Sequence, residues 1–510
     1  MEDPIYAYAS SDFNLQALLS LAGKIRGQPC KCDTSQFPQT GFYNWVIFLC
    51  FDDGVEWVLR CPYNHRPGIY SVATSAKVIA SEVAALRYLK AFTSIPVPEV
   101  YSHSATSDND IGLPYILQSK ATGHAIGSNW YPSSPTPAMP HLDNSRRIPE
   151  ENRKKVLTQL GVIMSELSEH RFDKIGSLFQ DEEGNYVVGE CLAPPFIVEE
   201  RDSLDIERGP FKQECDYLTS LVEAVKLHAQ KLPLEPYLFF APSLRHTDYD
   251  SVESYWEASS RCSEFVAVGQ KAAQSKNMLH YIIAGQLLHE MIPQLSSDVE
   301  GSFVLSHPDM YSGNIFVDDE FNITCIIGWG ATSTGPITQL LAPMSLAWLG
   351  GTLSEARTEA YWSGLTQRQL APELQCPKLR DTSKRICYFT ILVRCPSPHD
   401  YSYFKQLFEL VYNTNAEEAA DGKGIVGLFH ERANLPENKQ LFAKLLENDI
   451  SAEEVAEGER LFFSCKRAVM RADGMAVARK LTLMSEMNPC FIADKRLWRW
   501  VVKARKDFST

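Results

Sequence analysis

Residues 305–317, with the sequence LSHPDMYSGNIFV, constrain the fold more than any other part of this 510-residue chain. His307, Asp309 and Asn314 follow the spacing H-x-D-x-x-x-x-N, and an apolar β-type run comes directly after them. One interpretation is structural: a turn in which Asp309 caps backbone amides and Asn314 takes a left-handed conformation after Gly313. The other is chemical, because an Asp followed five residues later by an Asn is the order that phosphoryl transfer requires.

In the chemical interpretation each polar residue of the loop has a separate role. Asp309 positions the hydroxyl of the acceptor, and Asn314 holds a metal ion that is bound to the phosphates of a nucleotide. His307 orients the loop through packing and hydrogen bonds, so we do not expect it to titrate during catalysis. The sequence thus predicts a catalytic pair, His307 and Asp309, and a metal ligand, Asn314.

The segment after the loop departs from this pattern at one position. Phosphoryl transfer of this type needs a second, acidic metal ligand at the end of the next strand, which is predicted over Ile323 to Ile327. Gly328 stands there instead. Asp318 and Asp319 come too early, in the turn between the strands, where Asp is favoured because it forms turns. One metal ligand is therefore missing from the sequence.

Composition limits the class of protein and its partners. The chain is 45% apolar and 22% charged, which is ordinary for a globular protein long enough for two lobes or domains. A net charge of -14 argues against nucleic acid or an anionic membrane surface as the main partner. The thirteen cysteines show no paired C-x-x-C framework, which favours a reducing compartment.

The amino-terminal sequence, MEDPIYAYASSDF, lacks the basic start and apolar core of a signal peptide. It is also neither Arg-rich nor amphipathic, as a mitochondrial import segment would be. The most apolar stretch, around residues 340–351, is too short for a membrane span and is interrupted by Pro343. We therefore expect a cytoplasmic location, with a mitochondrial one less favoured, and no membrane partner.

Hydrophobic periodicity predicts a small α+β unit near the amino terminus, over roughly residues 41–118. A D-G turn at Asp53-Gly54 joins two apolar runs, which is typical of a β-hairpin. The predicted elements are a helix from Phe13 to Ile25, strands at 43–51 and 55–60, a helix at 75–92 and a strand at 114–118.

The remainder is predicted to be mainly helical. A polar, proline-rich stretch from Tyr131 to Pro149 indicates a surface insertion. A compact β-rich patch is expected at 303–330, around the loop. Helical spacing of apolar residues predicts further helices at 151–170, 265–295, 403–412, 439–446 and 453–470.

Candidate phosphate-binding residues lie in the amino-terminal unit. Gly41 and Asn44, at the start of the first hairpin, could cover the phosphates, although the start of a hairpin explains them equally well. Arg60 ends the second strand, where a kinase has a Lys that contacts the phosphates. A carboxylate at Glu82, in the middle of the following helix, could hold Arg60 by a bidentate pair. A surface Arg and an exposed helical Glu are the alternatives.

The chain resembles the aminoglycoside phosphotransferase-like family of the protein-kinase-like superfamily, in its fungal-type branch. The similar segments are GFYNWVIFLCFDDGVEWVLRCP, SEVAALRYLKAFTSIPVPEVY, IGLPYIL, HRFDKIGSLF with EEGNYVVGEC, and LSHPDMYSGNIFVDDEFNITCIIGWGATSTGP, which together cover about residues 41–340. The resemblance implies a two-lobed α+β fold with a small antiparallel-sheet lobe and a large helical lobe. It divides the chain into an extension at 1–40, a sheet lobe at 41–122 and a helical lobe at 123–510.

The family pattern is matched at His307, Asp309 and Asn314, but Gly328 replaces the Asp that binds metal in the family. The hinge also departs, since Gln118 to Lys120 replaces an acidic–aromatic pair, although backbone contacts to adenine would survive this change. The resemblance implies ATP as cofactor, with Gln118 and Lys120 beside it, and Mg²⁺ that is weakly held or absent. It also implies an unidentified small-molecule acceptor or protein partner.

Two functional hypotheses follow. The first is an ATP-dependent O-phosphotransferase for a small-molecule hydroxyl, impaired by the loss of the acid at Gly328. The second is a catalytically inactive kinase-like protein that serves as a nucleotide-binding or partner-binding scaffold. Magnesium dependence of nucleotide binding distinguishes between them.

Overall fold

The computed structural model of the chain describes residues 13–63, 70–130, 148–234, 236–241, 244–245, 248–297, 301–341, 346, 353–367, 377–413, 424–466, 468–488 and 491–509. The predicted insertion from Tyr131 to Pro149 lies almost wholly outside the described residues. The chain divides into two compact units. The first takes the described residues up to 130, those of 148–217 and those of 296–383, and the second takes those of 218–295 and 384–509.

An antiparallel sheet of six strands forms the amino-terminal part of the first unit. The strands follow the order β1-β3-β4-β6-β5, and β2 also pairs with β3. β3 and β4 form the predicted hairpin, and Gly54 in its turn has φ +82, a conformation that favours glycine. The strands are β1 (Cys30–Lys31), β2 (Gln39–Thr40), β3 (Asn44–Phe51), β4 (Glu56–Pro62), β5 (Val100–Ser104) and β6 (Tyr115–Ser119).

Two helices cover the two faces of this sheet. Helix α1 (Leu15–Arg26) begins after Asn14, whose side chain accepts a hydrogen bond from the backbone N–H of Ala17. It packs on the face that carries Leu49 and Leu59. Helix α2 (Val72–Phe92) packs on the opposite face through a cluster of Ile79, Val83 and Ile116. The α+β unit predicted over 41–118 is therefore confirmed, and residues before 41 extend it.

The rest of the first unit forms a large core around helix α3 (Glu150–Leu167) and helix α8 (Glu355–Leu365). These helices meet at two glycines: a Cβ on Gly161 would come within 2.2 Å of the carbonyl oxygen of Tyr361. Three small antiparallel sheets join this core. Their strands are β7 (His124–Ala125), β8 (Arg171–Phe172), β9 (Leu178–Gln180), β10 (Tyr186–Val188), β11 (Phe303–Ser306), β12 (Ile315–Val317), β13 (Ile323–Ile326) and β14 (Ser333–Gly335).

The regular secondary structure described in the second unit is all helical, with loops between the helices. Helix α5 (Glu214–Lys231) and helix α9 (Pro377–Arg394) each extend across the boundary between the units. The other α-helices among the described residues are α4 (Pro194–Ile197), α6 (Val252–Ala267), α7 (Ser275–Met291), α10 (Asp400–Tyr412), α11 (Gly424–Ala433), α12 (Pro436–Leu446), α13 (Ala452–Ser464), α14 (Ala468–Met487) and α15 (Lys495–Ser509). The predicted α+β class, with an antiparallel sheet followed by a mainly helical remainder, is confirmed.

Two predicted helices are wrong in length. The helix predicted over 265–295 is broken, because Gly269 and Gln270 have φ +79 and φ +48 and cannot continue an α-helix. The ammonium of Lys271 then donates a hydrogen bond to the carbonyl oxygen of Phe265, at 2.6 Å, and so satisfies the end of α6. The helix predicted over 453–470 ends at Ser464, before α14 begins.

Candidate phosphoryl-transfer site

Arg60 and Glu82 form a buried ion pair. Arg60 lies near the end of β4 and Glu82 lies on α2, and their side chains are 15% and 3% exposed. Burial lowers the pKa of Arg60, but the charge and hydrogen bond of Glu82 outweigh it and raise that pKa above its ordinary value. The predicted pairing of Arg60 with Glu82 is confirmed, but it runs through Nη2 of Arg60 and is not the predicted bidentate contact. The guanidinium is a fixed cation on this face of the sheet.

Two buried polar atoms on this face have no hydrogen-bond partner among the described residues: Nε of Arg60 and Oε1 of Gln118. Gln118 pairs with Val58 across β4 and β6, and Val58 lies two residues before Arg60 in the same strand. The side chains of Arg60 and Gln118 therefore emerge on the same face. A buried polar atom without a partner costs free energy unless a bound group pairs with it, so this face suits a polar ligand.

Tyr70 lies within electrostatic range of the ion pair, and sequence reasoning missed it. Its ring stacks on Tyr43, with ring centres 6.0 Å apart. Burial, and next the charge of Glu82, raise the pKa of the Tyr70 hydroxyl well above its ordinary value. No motif marks Tyr70 in the sequence, because its place beside Tyr43 arises only in the fold.

The predicted catalytic loop is held by His307. Its Nε2 lies 2.8 Å from the carbonyl oxygen of Ile327, and its Nδ1 accepts a hydrogen bond of 3.0 Å from the backbone N–H of Asp309. The imidazole therefore donates to one strand and accepts from the loop, which requires the neutral tautomer with hydrogen on Nε2. Its ring also contacts Trp329 edge-on at 4.6 Å.

Asn314 connects the loop to the following strands. Its Nδ2 donates to the carbonyl oxygen of Asp309 at 2.8 Å and lies 3.4 Å from a carboxylate oxygen of the same residue. The Asn314 carbonyl oxygen accepts from the backbone N–H of Ile327 at 3.0 Å. Since Nδ2 faces Asp309, the Oδ1 atom is the side-chain atom of Asn314 that is oriented to accept a donor or a cation.

Gly328 lies against this amide in a conformation that favours glycine. Its φ is +86, and a Cβ there would be 2.5 Å from Nδ2 and 2.8 Å from Cγ of Asn314. Gly330, two residues later, lies against the other half of the site, because a Cβ on it would be 3.0 Å from a carboxylate oxygen of Glu82. Sequence reasoning missed this role of Gly330. The segment 328–330 thus joins the loop to the ion pair.

The residues present do not fit a magnesium site with two protein ligands. Asn314 offers a neutral amide oxygen, the Asp309 carboxylate lies beside its amide nitrogen, and Gly328 offers no side chain. The described residues contain no group of three His, Cys, Asp or Glu side chains that could hold a metal ion. Asp318 instead accepts backbone hydrogen bonds from Glu320 and Asn322, which confirms the predicted turn. We derive no catalytic step through magnesium.

The other predicted nucleotide-binding residues lie at the rim of the sheet. Gly41 lies in the turn before β3, where its backbone N–H donates to the carbonyl oxygen of Asn44 at 2.8 Å. Lys120 follows β6 and is partly exposed; its ammonium lies 2.5 Å from a carboxylate oxygen of Glu56 and over the ring of Phe48. Contact of Gly41, Asn44 or Lys120 with a nucleotide stays a prediction.

Comparisons with known proteins find similar solved structures and curated relatives. No family model matches the chain. Among solved structures, the macrolide 2'-phosphotransferase MphH from Brachybacterium faecium covers 78% of this chain and 99% of its own, at a TM-score of 0.37 and 14% identity. A thermostable aminoglycoside phosphotransferase APH(4)-Ia in complex with ADP and hygromycin B covers 78% and 92%, at a TM-score of 0.37 and 14% identity.

Curated relatives match by sequence over shorter stretches. A subtelomeric hrmA-associated cluster protein of Aspergillus fumigatus is 27% identical over 189 residues, which is 35% of this chain and 33% of that protein. Altered inheritance of mitochondria protein 9 of Candida tropicalis is 31% identical over 150 residues, which is 28% and 22% of the two chains. The matches therefore span a third or less of the length of these relatives.

The expected cytoplasmic location is corrected by this comparison. Relatives from several Candida species carry the name "Altered inheritance of mitochondria protein 9, mitochondrial". Amino-terminal composition, on which the expectation was based, is a weak guide to location. Separately, none of the described helices is both long enough and apolar enough to cross a membrane.

Proposed function

We propose that this chain binds ATP on the face of its sheet that carries Arg60, and that it transfers phosphate to a small-molecule hydroxyl slowly at best. The observation that carries the proposal is the line of contacts from Arg60 through Glu82 and the segment 328–330 to the loop of Asp309. This arrangement keeps a cation for phosphates and a carboxylate for an acceptor in one site. It omits the carboxylate that would hold a metal.

The roles of the residues follow from their chemistry. Arg60 is held by Glu82 and offers its remaining N–H groups to phosphate oxygens. The Asp309 carboxylate positions the acceptor hydroxyl and takes its proton as the new P–O bond forms and the bond to the leaving phosphate breaks. Magnesium would supply charge neutralisation between the phosphates, and Asn314 is the ligand available for it. A neutral amide attracts a divalent ion far less than a carboxylate does.

A specific observation also favours the inactive alternative. Position 328 lacks an acidic side chain, and its positive φ and its contact with Asn314 also fit a backbone that requires glycine there. An Asp at this position would meet both strain and a close contact. In this second proposal the chain binds nucleotide or a partner without turnover, and Arg60 serves binding alone.

The test is a titration of ATP binding by calorimetry, with magnesium and with EDTA, together with an assay of ADP release. We expect binding that changes little when magnesium is removed. Slow ADP release that is abolished by Asp309→Asn, at unchanged melting temperature, supports transfer; binding without release supports the inactive alternative. Turnover in the ordinary kinase range of about 1–100 per second would contradict both proposals. No ATP binding under either condition would contradict the first proposal and leave the second only in its partner-binding form.

Relatives called Altered inheritance of mitochondria protein 9 match 28% of the length of this chain. From their name we propose that this chain acts in mitochondria. Fractionation of cells that express the full protein with a carboxy-terminal tag tests this directly. Recovery of the tag outside the mitochondrial fraction would contradict it.

A further inference from the structure

The two ends of helix α2 are held in different ways. Leu86 and Leu89, towards its carboxy-terminal end, are buried in the large core of the first unit. The part of α2 around Glu82 contacts a smaller apolar cluster on the sheet, which includes Ile79. Packing against the sheet therefore fixes the part of α2 that carries Glu82 less firmly than the large core fixes the end that follows it.

A second segment of the first unit contacts α2 along its length. We define the α2 brace as residues 178–202, which run from β9 through β10 and α4 into the loop that follows. Towards the end of α2, Nη1 of Arg87 donates a hydrogen bond to Oε1 of Gln180 at 3.0 Å. Nearer its start, Nζ of Lys77 lies 2.6 Å from a carboxylate oxygen of Glu190. The brace thus contacts α2 on both sides of its buried carboxylate.

Asp202, at the end of the α2 brace, makes the contact nearest the start of α2. Its Oδ2 accepts a hydrogen bond of 2.8 Å from the backbone N–H of Ser71, which is the N-cap residue of α2. Ser71 directly follows Tyr70, whose ring stacks on Tyr43. Burial is the main cause of the raised pKa of Tyr70, and the charges of Glu82 and, to a smaller extent, Asp202 add to it. One carboxylate of the brace is therefore connected both to the start of α2 and to the surroundings of the ion pair.

The loop that presents Asp202 has a strained backbone that an arginine side chain holds in place. Glu199 and Glu200 have φ +53 and φ +61, a left-handed conformation that costs free energy in residues other than glycine. The guanidinium of Arg208 donates hydrogen bonds to the carbonyl oxygens of four residues of this region, among them Arg201 at 2.8 Å. Strain of this kind persists only where the surrounding contacts fix the backbone, and it is concentrated at functional sites. These contacts hold Asp202 in one place.

We propose that Asp202 is a positioning residue of the candidate ATP site, because it fixes the start of α2 so that Glu82 meets Arg60. This inference rests on the proposed function, in which Arg60 contacts the phosphates of the nucleotide. Without the hydrogen bond from Ser71, the part of α2 that precedes the large core can shift along the sheet. Glu82 then moves away from Arg60, and the guanidinium loses its fixed direction. Asp202 acts through α2 and contacts no phosphate itself.

The first measurement is the ATP affinity of the full chain by calorimetry. Asp202→Ala should weaken ATP binding roughly tenfold, the effect of losing one hydrogen bond to a charged group. Asp202→Asn should restore most of the affinity, because an amide oxygen still accepts from the backbone N–H of Ser71. The matched control is Asn14→Ala, which removes the oxygen that accepts from Ala17 at the start of α1, on the other face of the sheet. The control should bind ATP as the unaltered chain does, and equal affinities of Asp202→Ala and Asn14→Ala would overturn the proposal.

The second measurement needs no nucleotide and so separates this inference from the proposed function. Denaturant unfolding of the unaltered chain, Asp202→Ala, Glu82→Gln and the double variant gives the coupling between the two positions. If Asp202 holds Glu82 on Arg60, the loss of unfolding free energy caused by Glu82→Gln should be smaller when Asp202 is already replaced. Losses that simply add would overturn the positioning role, whether or not ATP binds. Coupled losses in a chain that does not bind ATP would contradict the proposed function and support the positioning of Glu82 by Asp202.

Discussion

The phosphate-facing half and the metal-facing half of the candidate site differ in what their residues offer. In the first half Arg60, which is 15% exposed, pairs with the buried Glu82. In the second half Gly328 and Gly330 offer no side chain at all, although they lie against Asn314 and Glu82. One half thus presents a fixed positive charge, and the glycines of the other half contribute no side chain that could hold a cation.

If the site binds a nucleotide as we propose, this difference favours a nucleotide without a metal. Phosphate oxygens are attracted by a guanidinium, and a carboxylate without a metal would repel them. A site that keeps Arg60 and lacks an acid at Gly328 is therefore more favourable to a metal-free nucleotide than a site with both groups. We expect the two halves to differ in solution as well, both in stability and in ligand binding.

The largest effect is expected from Glu82→Gln. This change leaves the Arg60 guanidinium buried without a counter-charge, which should lower the free energy of unfolding by about 3 kcal/mol. Denaturant unfolding of both proteins measures the difference. Glu56→Gln is the control, because Glu56 pairs with Lys120 on the same sheet but both side chains are about 40% exposed. Glu56→Gln should lower the free energy of unfolding by less than about 1 kcal/mol. Equal losses in the two variants would contradict the inference that burial makes the Arg60–Glu82 pair the more important one for stability.

The Arg60–Glu82 pair was predictable from the sequence because its members have fixed positions in regular elements. A D-G turn set the register of β3 and β4, and apolar periodicity placed Glu82 in the middle of a helix. The same reasoning missed β5, because Pro96 and Pro98 interrupt the apolar pattern just before this short strand. It also missed the break after α6, since a left-handed Gln270 gives little signal in a sequence.

A second effect is expected from Arg60→Met, which keeps an unbranched apolar stem but removes the guanidinium and its charge. Loss of a charged hydrogen bond of about 2 kcal/mol should weaken ATP binding roughly thirtyfold in calorimetry. The ATP affinity of Arg60→Lys should lie between that of the unaltered chain and that of Arg60→Met, because an ammonium keeps the charge but lacks the planar, two-pronged guanidinium. Thermal melting of each variant without ATP separates lost stability from lost binding. An ATP affinity that is unchanged in Arg60→Met would mean that Arg60 does not bind the phosphates.

A smaller effect is expected from Gly328→Ala on the metal-facing side. The positive φ alone should cost about 1 kcal/mol, and the close contact with Asn314 should add to this loss. Gly184→Ala is a matched control, since Gly184 has φ +84 and nothing within 4 Å of its Cβ position. The difference in unfolding free energy between the two variants reports the contact with Asn314. Equal losses of unfolding free energy in Gly328→Ala and Gly184→Ala would mean that Asn314 moves aside at little energetic cost.

Gly328→Asp sharpens the same point by returning the missing acid. The positive φ of the backbone and the contact with Asn314 both oppose a side chain at this position. We therefore expect Gly328→Asp to lower the free energy of unfolding and to leave the affinity for Mg-ATP no higher than that of the unaltered chain. A gain in both magnesium dependence and ADP release would contradict this expectation. The absence of an acid at Gly328 was evident from the sequence, but its φ and its contact with Asn314 were not, because neither depends on residue type alone.

The smallest effect is expected from Lys120→Ala. Lys120 was predicted to lie beside the nucleotide, yet its ammonium pairs with Glu56 and lies over Phe48 at an exposed edge of the sheet. An exposed pair of this kind contributes little, so we expect ATP affinity to change by less than about threefold and stability by less than about 1 kcal/mol. Calorimetry and denaturant unfolding measure the two quantities, with Arg60→Met as the reference for a residue that faces the phosphates. A loss of affinity as large as that of Arg60→Met would extend the phosphate-facing half to the end of β6, where only backbone contacts to adenine are expected.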